Sequence, residues 1–108
     1  MLAARRGEVW PVDLGMTAKS RPAIILSAAF RDEERALYTI APHTTALRGG
    51  RFEVGVGLSW LAPGAFDVQG LRSIPASVFI RKLGTLAENE VHQIANQAGI
   101  WLGIIRGQ

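Results

Sequence analysis

The chain has 108 residues, with twelve basic and nine acidic side chains for a formal net charge of +3, and no cysteine. That length suits one core, so a single domain spanning residues 1–108 is expected, and the absence of cysteine excludes disulfides, thiolate nucleophiles and thiolate metal sites. No apolar run reaches the roughly 18 residues of a membrane span, and the basic N-terminus runs into Gly7-Glu8-Val9-Trp10 without an apolar signal core, so the expectation is a cytoplasmic protein with no membrane partner.

In chain order, Val9 to Leu14, bounded by Gly7 and Gly15, reads as a first strand, and Met16 to Ser20 as a polar connection. Arg21-Pro22 leads into Ala23-Ile24-Ile25-Leu26-Ser27, an apolar run that predicts a central buried strand. Arg31-Asp32-Glu33-Glu34-Arg35 reads as a solvated turn. Leu37 to Ala41 predicts a third strand ended by Pro42. After Gly49-Gly50, the alternation of Phe52, Val54 and Val56 with Glu53 and Gly55 turns one face inward.

Gly57 to Gly64 reads as a loop carrying Trp60 and Pro63. Ala65 to Leu71 and Val78 to Leu83 predict further strands, with Ser73 to Ala76 as the turn between them. Val91, Ile94, Ala95, Ala98, Trp101, Leu102 and Ile105 then recur at helical spacing, with Thr85 and Glu88 as a capping pair at the start. Short strands, polar connections and one terminal helix predict a mainly β fold, a small antiparallel barrel with a C-terminal α-helix. No glycine-rich phosphate loop stands between a strand and a helix, which disfavours a nucleotide-binding α/β domain.

Ten of the twelve basic residues are arginine, whose planar fork matches phosphate, although a GC-rich genome gives the same bias. Asp13, Asp32 and Asp67 are far apart in sequence, and His43 and His92 stand 49 positions apart, so the sequence offers no evident metal cluster and no cofactor is expected. Cleavage of a nucleic acid without a metal needs an internal nucleophile, and RNA carries one in its 2′-hydroxyl.

Arg21 opens the central strand and suits the charge that builds on a phosphoryl group, unless it is an ordinary edge arginine. Thr44 follows the third strand, where its hydroxyl can donate to phosphate or simply form a turn. His43 can shuttle protons, but neighbours on a strand face opposite ways, so it shares a site with Thr44 only if the strand has ended. Thr45, Arg48, Arg51, Arg72 and Ser73 are candidates for RNA contacts, and Trp60 for base stacking or a dimer contact. Trp10 and Trp101 read as structural.

In the order and spacing of Arg6-Gly7-Glu8-Val9-Trp10, Val12-Asp13-Leu14, Arg21-Pro22-Ala23-Ile24-Ile25-Leu26, Ala41-Pro42-His43-Thr44-Thr45, Leu71-Arg72-Ser73-Ile74 and Lys82-Leu83-Gly84-Thr85-Leu86, the chain resembles the MazF/PemK toxins of bacterial type II toxin–antitoxin systems. The resemblance implies an SH3-like barrel, a homodimer, a cognate antitoxin and metal-independent cleavage of single-stranded RNA. It also implies Arg21 and Thr44 as the catalytic pair.

The chain departs from the family pattern in its short connection from Gly15 to Ser20, and at Gln69 and Gly70, where the family commonly has aspartate and glutamine. The alternatives are a homologue that acts by binding alone, a topoisomerase poison like the related CcdB proteins, or a small interaction module.

Overall fold

The computed structural model describes residues 4–15 and 20–107. Its strands are β1 (Glu8–Val12), β2 (Arg21–Ile25), β3 (Leu37–Thr44), β4 (Glu53–Val54), β5 (Ala65–Asp67), β6 (Arg72–Pro75) and β7 (Gly84–Thr85), followed by helix α1 (Glu88–Trp101). The strands pair antiparallel in the order β4-β5-β3-β2-β1-β7, with β6 also against β3. The path ends at β4 and β7, so the sheet is barrel-like without closing. No helix among the described residues is long and apolar enough to cross a membrane.

The continuous apolar run of β2 follows from burial on both faces. Ile24 joins Val9, Ala41 and Phe66 in one cluster, under Val91, Ile94 and Ala98 of α1. Ala23 and Ile25 join Trp10, Val12, Tyr38, Ile40 and Phe79 in a second. Ile24, Ile25 and Ile40 are fully buried, and each such side chain contributes roughly 1.5–3 kcal/mol. Glu8 is buried because it has partners: its carboxylate accepts from the Arg5 amide and the Trp10 indole and pairs with Lys82 at 3.4 Å. With the Leu83 amide bound to the Val9 carbonyl, this ties residues 82–83 to β1.

Several expected boundaries differ, among them the strand expected from Ala65 to Leu71, which ends at Asp67 and gives way to a 3₁₀ turn at Val68–Gly70. Pro42 does not end the third strand, which runs on to Thr44. β3 pairs with β6 through residues 37–40 and with β5 through 43–44, so the ladder on that side skips Pro42 and its missing N–H costs no bond. Ser73–Ala76 is not a turn: Arg72–Pro75 is a strand that buries Ile74, and a 3₁₀ turn follows at Ala76–Val78. Residues 79–83 form no strand, because Phe79 drops into the second core with its ring edge-on to Trp10 and Tyr38.

The helix cap, finally, is not the Thr85/Glu88 pair. Thr85 pairs with Glu8 in the sheet, and Glu90 accepts from the Ala87 amide at 2.8 Å. The helix stops at Trp101, where the amides of Ile104 and Ile105 return to the Gly99 carbonyl, and this leaves Trp101, Leu102 and Ile105 partly exposed.

Candidate active site

The start of β2 and the end of β3 lie side by side. Ala23 pairs with Pro42, and continuing that antiparallel register by two residues sets Arg21 across from Thr44, with both side chains on one face. Their separation in sequence is bridged by strand pairing alone.

Arg21 and Thr44 form the shared rim of two cavities. The first, of 420 Å³, is lined by Arg21, Pro22, His43, Thr44, Thr45, Trp60, Leu61 and Leu83 among others. The second, of 370 Å³, is lined by Arg21, Pro42, Thr44, Arg48, Phe52, Glu53, Asp67 and Gln69 among others. Thr44 Oγ1 accepts from the Ala46 amide at 3.1 Å. That contact uses a lone pair and leaves the hydroxyl proton free to donate.

The turn after β3 is held from below. The Glu53 carboxylate accepts from the Arg48 amide at 2.9 Å and the Gly49 amide at 2.8 Å, which sets Arg48 at the second cavity. Glu53→Ala is expected to lower stability by about 1–2 kcal/mol as both amides lose a charged acceptor. Urea denaturation checks this, and an unchanged midpoint contradicts it. Across the β4–β5 pair, Asp67 stands opposite Glu53 and accepts from the Gln69 amide at 3.0 Å.

Trp60 is 40% exposed but fixed in place. A Cβ at Gly84 would stand 2.6–2.8 Å from its indole atoms, so the glycine leaves room for the ring against β7. Trp60 lines the first cavity together with Arg21 and Thr44.

His43 is 95% buried by its 5% exposure, with its ring 5.1 Å from that of Phe66 and edge-on to it. Neither ring nitrogen has a hydrogen-bond partner among the described residues, yet no fully enclosed side-chain nitrogen or oxygen there lacks one. His43 is among the residues that line the first cavity.

Burial lowers the His43 pKa from its ordinary 6.5. Between that value and the lower folded one the unfolded chain binds more protons, so stability falls as pH falls through this window and the contribution is complete above about 6.5. Thermal melts from pH 7.5 to 5 should show a loss in the native protein that is smaller in His43→Gln; equal losses contradict the assignment.

The remaining candidates lie elsewhere. Arg51 lines a separate groove beside α1 with its guanidinium 4.5 Å over the Phe52 ring. Arg72 donates to the Leu14 carbonyl and Ser73 shares a 2.7 Å hydrogen bond with Thr39, and neither lines the two cavities. The connection Met16–Lys19, which carries the sequence's main departure before Arg21, lies outside the described residues.

A family model for the PemK-like, MazF-like toxin of type II toxin–antitoxin systems matches residues 5–102. The chain belongs to this toxin family. No curated protein matches the sequence. Among solved structures, an endoribonuclease in complex with its cognate antitoxin, from a mycobacterial species, is 23% identical with a TM-score of 0.82, over 97% of this chain and 100% of that one. A MazE–MazF complex from Deinococcus radiodurans is 21% identical with a TM-score of 0.81, over 97% and 100%. The Mycobacterium tuberculosis toxin MazF-mt6 is 25% identical with a TM-score of 0.74, over 91% and 98%.

The MazF/PemK fold of this chain also brings residues to the site that sequence reasoning passed over. Glu53, Asp67 and Gln69 wall the second cavity, and Leu83 the first. The signal for Glu53 and Asp67 was the hairpin pattern on either side of the Gly57–Gly64 loop, which leaves their register open until β4 and β5 are paired.

Proposed function

We propose that this MazF/PemK toxin is an endoribonuclease that cuts single-stranded RNA by attack of a ribose 2′-oxygen on the adjacent phosphorus, leaving a 2′,3′-cyclic phosphate and a 5′-hydroxyl. The observation that carries the reading is the placement of Arg21 and Thr44 on the rim common to two cavities, where one phosphate can meet both while nucleotides on either side enter the flanking spaces. The Arg21 fork compensates charge on the phosphoryl oxygens, and the free Thr44 proton donates to one of them.

Trp60 offers a stacking surface in the first cavity, and Arg48 a backbone contact in the second. Among the described residues no group of three or more His, Asp or Glu side chains could hold a metal ion. In this reading the toxin works as one domain, pairs as a homodimer in the cytoplasm, and is neutralised by a cognate antitoxin that covers the Arg21–Thr44 rim. The solved antitoxin complexes of similar fold support that partner.

The test is to incubate folded protein with a long RNA in EDTA and map new ends. Fragments with 5′-hydroxyl termini are expected, and intact RNA overturns the reading.

A further inference from the structure

We propose that His43 is the group that takes the proton from the attacking 2′-hydroxyl, an assignment that rests on the endonuclease reading above. The reaction needs such a group, because arginine stays protonated and is a poor base. The requirement is met by a nitrogen lone pair that is unoccupied, open to the cavity and beside the phosphate site.

His43 is the imidazole among the residues that line the cavity. It is 95% buried, by its 5% exposure, and fixed edge-on against Phe66, so its ring direction is set by packing. Its nitrogens have no hydrogen-bond partner among the described residues, and the residue lines the cavity together with Arg21 and Thr44. Among the described residues the neighbouring elements bring little competing charge: Phe66 from β5, Trp60 and Leu61 from the preceding loop, Leu83 ahead of β7, and Arg21 as the one charged side chain, from β2. Burial favours the neutral imidazole, the form that accepts a proton.

Neighbouring strand residues face opposite ways, so His43 and Thr44 approach the cavity from different sides of β3. Thr44 is the last residue of β3, and at this strand end His43 and Thr44 are both among the residues that line the cavity. In the step, a His43 nitrogen takes the 2′-proton as the 2′-oxygen–phosphorus bond forms and the bond from phosphorus to the 5′-oxygen breaks. The leaving oxygen takes a proton from water, and the imidazolium returns its own to solvent, so no net proton is consumed.

Single-turnover cleavage of RNA between pH 4.5 and 8 tests the assignment. The native rate should rise with pH and level off with a midpoint below 6.5. His43→Gln should lower the plateau about 100-fold and remove the slope, while Asp67→Asn, which alters the facing carboxylate of the second cavity, should keep the slope.

A measurement on the unaltered protein covers the case in which the variant misfolds. Titrated by NMR, the His43 imidazole should shift its midpoint when an uncleavable 2′-O-methyl RNA oligonucleotide saturates the site. Native cleavage together with an unmoved His43, or with a His43→Gln enzyme that keeps the slope, overturns the assignment and leaves the endonuclease reading standing. RNA left intact by the folded native protein at every pH overturns both.

Discussion

Arg21→Ala should cut RNA at least about 100-fold more slowly than the native toxin while melting at nearly the same temperature. The magnitude is that of removing one preorganised donor from a developing phosphoryl charge. Stability should be spared because Arg21 is exposed at the first position of β2, and its pairing with Val12 is made by backbone. Arg21→Lys separates charge from shape: a lysine keeps the positive charge but loses the fork, so a substantial share of the loss should persist.

Thr44→Ala should lower cleavage about 10- to 100-fold, and its fold cost should be about 1 kcal/mol, from the bond to the Ala46 amide. Since the two residues share one phosphate in this scheme, the double variant should be little worse than Arg21→Ala alone. Single-turnover rates set beside melting curves check the set. Parallel losses of rate and melting temperature would make Arg21 and Thr44 structural residues.

Much of this was legible in the sequence. Ala23 to Ile25 declares a strand buried on both faces, and Val91, Ile94 and Ala98 declare the helix face that covers one of them. Arg21 and Thr44 each mark a strand end, and an antiparallel pair of those strands brings the ends together. Sequence failed where a residue's role depends on what packs against it. Phe79 looks like a strand residue until Trp10 and Tyr38 are seen to enclose it. Pro42 looks like a terminator until the gap between β6 and β5 on its donor side is known. His43 reads as a candidate proton shuttle on a strand that sets it away from Thr44, and its packing on Phe66 and its place in the cavity lining are seen only in the fold.

Gly64→Ala should cost at least about 1–3 kcal/mol of stability and most of the cleavage activity together. A Cβ at this position would stand 2.2 Å from the Thr44 carbonyl oxygen, 3.0 Å from the Thr44 carbonyl carbon and 2.7 Å from His43 Cε1. Two of those atoms are backbone of β3 and cannot rotate away, so the added methyl must push residue 64 off the strand. Ala65, the next residue, pairs with Thr44, and Phe66 pairs with His43 and carries its ring. The displacement therefore unzips the ladder that places both side chains.

Gly57→Ala is the matched control. Its Cβ would have no neighbour within 4 Å, so its effect should stay within about 0.5 kcal/mol. If Gly64→Ala melts and cuts like the native protein, the β5 strand is not what holds the site. If it loses both while Arg21→Ala loses only cleavage, scaffold and chemistry separate at the end of β3: Gly64 gives the room that fixes His43 and Thr44, and Arg21 supplies the charge they work beside.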